Sequence, residues 1–303
     1  MKKAIVTGAN GFVAGHLVQA LVDGGIQVLA LTRQPELNDS MPLYDSEAVI
    51  HRNLGLEKIG SLADILNELG WNDSDEIVFY HLAWKGAEGL ADGSPSEQIQ
   101  NIIYTAEAVK TAAAVGCSRF VNVGTIEELY FEDYLDTGRW MQQPYYSGHG
   151  YYAAAKAGAF KMNLILAYLE KIEYVQARFS VAVSKELKTF FKGYVAASLA
   201  RILAGEPTDP PTSKQLYELV EVSDLSSALV ALGRHGANKE DYYIGAGSPQ
   251  TLAAIFEGIK NGDSVDVFDN DHDDAEFRSF FDNGTLVSDL NYKPSPVTKE
   301  VFL

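Results

Sequence analysis

The chain has 303 residues, enough for one large α/β unit or for a core domain with a smaller lobe. Forty-one acidic residues against 24 basic ones leave a net charge of −17, which argues against nucleic acid or an anionic membrane as a partner but leaves room for one small anion held by local groups. The single cysteine, Cys117, excludes an intramolecular disulfide framework, and between Val115, Gly116 and Phe120 it reads as a small core hydrophobe.

Met1-Lys2-Lys3 precedes only three apolar residues before the glycines begin, which is not a secretory signal. No stretch approaches the roughly 18 apolar residues of a membrane span. The expectation is a soluble cytoplasmic protein in which the sequons at Asn38, Asn72 and Asn283 are incidental.

Ala4-Ile5-Val6 reads as a short buried strand, followed by a small-residue turn from Thr7 to Gly15. Val13, Ala14, Leu17, Val18, Leu21 and Val22 then share a helix face, and Gly24-Gly25 ends the helix by accepting left-handed geometry. A strand–turn–helix of this kind aims backbone N–H groups and the positive end of the helix dipole at one spot, which suits a pyrophosphate. The same pattern also describes an ordinary turn whose glycines serve tight packing.

Further strands are expected over 26–31, 48–50, 76–83, 120–123 and 174–179. Helices are expected after a Ser61 cap, with Leu62, Ile65, Leu66 and Leu69 on one face, and over 96–115 and 151–170. Residues 127–150 show no period and many aromatics, including Tyr130, Phe131, Tyr134, Trp140, Tyr145 and Tyr146. They read as a long irregular loop that forms either a substrate wall or lid, or a packing or dimer contact. The alternation predicts a doubly wound parallel sheet, a Rossmann domain, over 1–180. Residues 181–303 then form mainly a smaller α/β substrate lobe, with some chain returning to the first domain. Its helices are expected at 192–204, 223–232 and 251–260, and its strands near 217–222, 242–244 and 265–268.

Tyr152 and Lys156 stand one helical turn apart, so an ammonium beside the phenol is expected to lower its pKa and fit it for proton transfer. Taken alone, the pair also describes an exposed lysine one turn from a partly buried tyrosine.

Gly8, Gly11 and Ala14 resemble the TGxxGxxG/A fingerprint of the short-chain dehydrogenase/reductases, and Tyr152 with Lys156 resembles that family's YxxxK pair. His81-Leu82-Ala83 resembles the "HLA" strand ending of its extended, nucleotide-sugar-modifying branch, the NAD-dependent epimerases and dehydratases. Gly124-Thr125 stands where that branch carries its catalytic Ser or Thr, and Asn101 matches the asparagine of the following long helix. Leu252, Asp289 and Pro294 fit the C-terminal pattern more loosely, and the resemblance weakens after Ser180.

The resemblance implies that Tyr152 exchanges a proton with the reacting sugar oxygen, that Thr125 hydrogen-bonds the same oxygen, and that Lys156 holds the nicotinamide ribose and tunes Tyr152. It implies cofactor contacts at Gly8, Asn10, Gly11, Phe12 and Val13 in the turn and at Thr32 and Arg33 after the second strand. Leu82, Ala83 and Trp84 after the fourth strand, together with Asn101, Val123, Tyr152, Lys156 and Phe179, complete that set. Substrate contacts are expected at Lys85, Thr125, Ile126, Glu127, Ser180 and Lys192. An acid at the end of the second strand would select NAD. Here Thr32 and Arg33 stand there, which favours NADP(H) over NAD(H), unless Arg33 merely pairs with Glu36.

The departures matter too. Dehydratases of the branch carry Thr-Asp-Glu or Thr-Ser-Glu where this chain has Thr125-Ile126-Glu127, and isoleucine delivers no proton. Ser180 replaces the usual asparagine near the diphosphate, with Lys185, Lys188 and Lys192 either compensating or forming a solvated face. Asp269 to Asp273 fails as a calcium loop, because Asp274 and Phe280 occupy its glycine and glutamate positions, and no metal site is expected. The resulting expectation is an NADP-dependent oxidoreductase that reduces a nucleotide-linked 4-keto-6-deoxyhexose. A nucleotide-sugar 4-epimerase with bound NAD is the alternative, and a non-catalytic NADP-sensing protein on the same fold is the reading from another class. A homodimer through the two long helices is expected from the resemblance.

Overall fold

The computed structural model describes residues 1–34, 46–72, 76–86, 94–145, 149–185, 194–209, 211, 215–262 and 275–302. Lys192, Lys188, Glu36, Tyr146, the expected strand at 265–268 and the acidic run at 269–274 lie outside them. The main strands are β1 (Lys3–Thr7), β2 (Gln27–Thr32), β3 (Val49–Asn53), β4 (Ile77–His81), β5 (Arg119–Val123) and β6 (Glu173–Arg178). Three shorter strands follow, β7 (Val181–Val183), β8 (Leu216–Tyr217) and β9 (Leu219–Glu221), and then β10 (Asp241–Tyr243) and β11 (Gln250–Thr251). Seven of them form one sheet in the order β10-β6-β5-β4-β1-β2-β3, with every pairing parallel.

The sheet is covered on both faces, and side-chain alternation decides which residue meets which cover. Ala4, Val6, Val28, Ala30, Val78, Tyr80, Val121, Val175 and Ala177 point to one core, shared with α1 (Phe12–Asp23). Ile5, Leu29, Leu31, Ile77, Phe79, Phe120 and Tyr174 point to the other. That second core is closed by α2 (Leu62–Leu69), α3 (Pro95–Ala114) and Ala167 of the long helix that follows β5. Cys117 is buried in it, as a small core residue should be.

Between β5 and β6 run α4 (Glu127–Asp136) and α5 (Gly150–Glu170). The expected irregular loop therefore begins with a helix. Its buried face is Glu127, Glu128, Tyr130 and Tyr134, so two acids stand where an apolar repeat would have announced it. Tyr134, Tyr145 and Phe131 pack edge to face within this segment, and Tyr130 meets Phe277, Phe280 and Phe281. Most of the aromatic run is thus internal packing.

Smaller corrections have local causes. Ser61 precedes α2 but makes no side-chain cap, because its hydroxyl donates to the Lys58 carbonyl in a preceding 3₁₀ turn. The left-handed residue after α1 is Gly25 (φ +73°), while Gly24 keeps a negative φ. α3 opens with a Ser94–Glu97 capping box that the sequence analysis passed over.

Beyond β6, α6 (Tyr194–Leu203) and α8 (Leu252–Asn261) pack on β7 and β9 around Val183, Leu199, Leu219, Ile255 and Phe256. The expected strand at 217–222 is divided into β8 and β9, which join two different two-stranded sheets. α7 (Val222–His235) returns to the main sheet beside α1, and β10 extends that sheet past β6.

One hydrogen-bond chain fastens the glycine turn, β4 and α3 together. Thr7 Oγ1 accepts the Leu82 and Ala83 N–H groups, both at 3.2 Å, so its own proton goes to His81 Nδ1 at 3.1 Å. His81 Nε2 therefore carries the ring proton and donates to Thr105 Oγ1 (3.3 Å), which in turn donates to the Asn101 carbonyl (2.8 Å). Burial, aided by the charge of Lys156, holds the imidazole down at about 3 instead of 6.5. As pH falls through 6.5 the unfolded chain takes up this proton first, so stability present above pH 6.5 is lost toward pH 3. His81→Asn will be less stable at neutral pH, but its deficit will shrink as pH falls from 6.5, by up to about 1.4 kcal/mol per pH unit, in urea unfolding series run on both proteins.

Candidate active site

The Thr7–Gly15 turn at the carboxyl end of β1 has the fit of a dinucleotide cradle. Gly8 has φ +70°, and a Cβ there would lie 3.0 Å from the Ala83 Cα, so only glycine brings the turn against the end of β4. Gly11, the N-cap of α1, has no side chain to occupy the N–H groups of the first turn, and that turn carries no acid. Asn10 Nδ2 donates to Gln34 Oε1 across the mouth at 3.3 Å, and Phe12 packs edge-on to His16. At the end of β2, Thr32 Oγ1 donates to the Gln34 carbonyl (2.6 Å) and meets His51 Nε2 (2.7 Å), while Arg33 is exposed. The described residues that follow β2 in the chain, Arg33 and Gln34, include no acid.

The structure brings Thr125, Tyr152 and Lys156 together where β5 gives way to α4 and α5. Thr125 stands one residue before Ile126, the N-cap of α4. Its Oγ1 accepts the Glu127 N–H at 3.3 Å, and its own N–H donates to Glu128 Oε1 at 3.1 Å. The Thr125 side chain also lies beside the Tyr152 phenol and acts to lower its pKa. Lys156 Nζ donates to the Val123 carbonyl at 2.9 Å and lies 4.0 Å from the centre of the Trp84 ring. Trp84 also meets Tyr152 edge to face, with ring centres 6.1 Å apart.

The electrostatics correct one expectation. Tyr152 is held well above the ordinary phenol value, by burial first and then by the charges of Glu128 and Glu127, with the Thr125 side chain opposing. Lys156 does not pull it down, because its ammonium is engaged by Val123 and Trp84, 5.9 Å from the Tyr152 ring centre. Burial also lowers Lys156 itself to about 8, against the pull of Glu128. Tyr152 is a neutral phenol here: it carries the proton a donor needs, and its surroundings make it a weaker acid than a free phenol.

Beneath these groups lies an acid that the sequence analysis missed. Glu128 is fully buried, and its carboxylate accepts from Thr125 N–H, Gln176 Nε2 (3.0 Å) and Arg178 Nε (2.8 Å). Arg178, also buried, reaches Asp241 on β10 as well. Gly124 leaves room for this arrangement, since a Cβ there would run into Gln176 and Glu128. The signal was present in the sequence: Thr125-x-x-Glu128 is the spacing of a capping box. Glu127, also buried, accepts from the Tyr145 hydroxyl (2.9 Å) and Gln215 Nε2 (3.3 Å). Gln215 comes from a distant part of the chain and carries no local signal.

The other expected residues divide. Leu82 and Phe179 pack against the sheet core, and Val123 contributes its carbonyl. Asn101 spends its side chain on the backbone of Lys85, accepting its N–H at 3.0 Å and donating to its carbonyl at 2.8 Å. The Lys85 ammonium is exposed, 4.0 Å from Glu97. Ile126 turns into an aromatic cluster with Tyr130, Leu216, Tyr243 and Phe281 and does not face Tyr152. Ser180 Oγ accepts the Glu218 N–H at 3.2 Å, which ties β6 to the β8–β9 link, and Lys185 is exposed.

Among the described residues, no group of His, Cys, Asp and Glu could hold a metal ion, and no helix is long and apolar enough to cross a membrane. Residues 4–245 match the NAD dependent epimerase/dehydratase family. A dTDP-glucose 4,6-dehydratase of Actinoplanes sp. is 24% identical over 305 residues, covering 96% of this chain and 92% of the relative. The UDP-glucose 4-epimerase of Thermotoga maritima, solved with UDP-glucose, superposes with a TM-score of 0.74 at 17% identity over 99% of this chain and 96% of its own. The UDP-glucose 4-epimerase of Thermus thermophilus, solved with NAD, gives a TM-score of 0.65 at 16% identity over 86% of this chain and 83% of its own. At those identities the two structures speak for the fold alone. With the family match spanning the glycine turn and the Thr125–Tyr152–Lys156 cluster, the chain belongs to the NAD dependent epimerase/dehydratase family and is an NAD(P)-dependent enzyme.

Proposed function

We propose that the protein is an NADP(H)-dependent reductase of a nucleotide-linked 4-keto-6-deoxyhexose. The observation that carries this reading is Tyr152, a phenol kept protonated by burial and by two neighbouring carboxylates, with the Thr125 side chain beside it. The dinucleotide supplies the hydride when bound. Gly8, Gly11 and the first turn of α1 would hold its pyrophosphate, Lys156 its nicotinamide ribose, and Arg33 its 2′-phosphate. Tyr152 would donate its proton to the carbonyl oxygen as negative charge gathers there, with Thr125 fixing that oxygen by a hydrogen bond. Glu127, held by Tyr145 and Gln215, would accept hydrogen bonds from sugar hydroxyls. The inward packing of Ile126 leaves no acid between Thr125 and Glu127, which supports reduction over dehydration.

Epimerisation at C4 is the second reading, favoured by the likeness to the two UDP-glucose 4-epimerases. We further propose a homodimer through α3 and α5. Ile99, Ile103, Met162, Ile165, Tyr168 and Leu169 are exposed on these helices, an apolar surface that a second copy could cover.

Three measurements test these proposals. ADP-, CDP-, GDP-, UDP- and dTDP-linked 4-keto-6-deoxyhexoses are supplied with NADPH. One should oxidise the cofactor stoichiometrically, and Tyr152→Phe should lower that kcat by roughly 10²- to 10⁴-fold. Interconversion of C4 epimers by enzyme carrying tightly bound NAD, with no NADPH consumed, would transfer the assignment to the epimerase. Arg33→Asp should raise the KM for NADPH by roughly tenfold or more while changing that for NADH far less; equal changes would remove the 2′-phosphate role. Ile165→Glu should move the protein from dimer to monomer in light scattering.

A further inference from the structure

Trp84 enters the expected cofactor set only as one residue of the segment after β4, yet the fold spends an unusual amount of buried polar structure on holding it. Gln98, Asn101 and Thr105 lie on one face of α3 at helical spacing, and each is almost fully buried. All three serve residues 81–85. Thr105 takes the His81 N–H, Asn101 clamps both backbone groups of Lys85, and Gln98 Oε1 accepts the Trp84 indole N–H at 2.9 Å. What this framework delivers is the indole face, 4.0 Å from Lys156 Nζ, with the Tyr152 ring meeting it edge-on.

We propose that Trp84, locked by Gln98, is a positioning residue for the Lys156–Tyr152 pair. Its ring covers the ammonium, fixes it between an aromatic face and the Val123 carbonyl, and keeps it charged inside a dry pocket. The other charged or titratable groups facing Lys156 are Tyr152 on its own helix, Glu128 on α4 and His81 on β4. Of these, Glu128 supplies a counter-charge, while the electron-rich face of the indole favours the cation from the opposite chemistry, as a quadrupole. A leucine would keep an apolar side chain there and lack that attraction. The proposal rests on the reading of Tyr152 and Lys156 as the catalytic pair, and its first test needs no substrate.

The Lys156 ammonium is followed by NMR in protein labelled with ¹⁵N-lysine, with Lys156→Met identifying its signal. In the wild type it should titrate near 8. In Trp84→Leu an apolar side chain remains but the aromatic face is gone, and the midpoint should fall by roughly half to one pH unit. Trp84→Phe should recover most of that shift, and Gln98→Leu, which frees the indole, should reproduce part of the loss. Near-UV circular dichroism establishes that each variant is folded, and Gln98→Leu carries the test should Trp84→Leu not fold. Leucine and phenylalanine variants that titrate together would reduce Trp84 to a space-filling role and overturn the proposal. With a ketosugar substrate, Trp84→Leu should lower kcat by roughly tenfold or more and change KM less. A shifted titration in a protein that reduces none of the sugars would sink the reductase reading and leave the positioning role standing.

Discussion

The buried pair of Glu128 and Arg178 is the contact on which the rest of the site depends. An ion pair withdrawn from water is costly unless nearly every charge-bearing atom finds a partner. Here the carboxylate meets an arginine, a glutamine and the backbone of Thr125, so one acid joins the start of α4, the end of β6 and the residue next to Tyr152. Losing the acid would leave the buried guanidinium with Asp241 alone, and losing the arginine would leave a carboxylate beneath the phenol. Either would disturb the geometry above the sheet before any substrate arrived.

The same carboxylate sets the chemistry. A tyrosine beside a lysine is readily pictured as a primed phenolate, but two acids and a dry environment push this phenol the other way. Lys156 is itself softened by burial and held by a carbonyl and an indole. In this state the proton therefore stays on the phenol. Binding a positively charged ring nearby would move that balance, which is how one constellation can serve either direction of a redox reaction.

Much of the fold could be read directly, because a parallel sheet buried on both faces writes itself as short apolar runs between amphipathic helices. Ala4-Ile5-Val6 and 120–123 are of that kind, and their alternate residues fall in opposite cores. The glycine turn and the Tyr152–Lys156 pair were legible because their spacing is local, and Thr125 through its place in the family pattern. α4 was not, since its buried face begins with two glutamates that look solvated until Arg178 and Tyr145 are brought to them from far along the chain. Gln98, Gln215 and the true setting of Asn101 were hidden for the same reason: what each touches is decided by the packing of elements distant in sequence. The Thr-x-x-Glu spacing shows that some of this was within reach.

The position of β10 bears on how the chain can be divided. The strand is supplied after residue 240, yet it pairs with β6 at the rim of the main sheet, and α7, which leads to it, lies over α1. A fragment ending near residue 180 would contain every motif of the dinucleotide site. It would also present a bare row of β6 amides and carbonyls, an uncovered apolar side of α1, and an Arg178 without Asp241. Such an edge is a template for sticking to other chains. The nucleotide half is thus completed by residues made after it, which ties its solubility during synthesis to the arrival of the part that follows it.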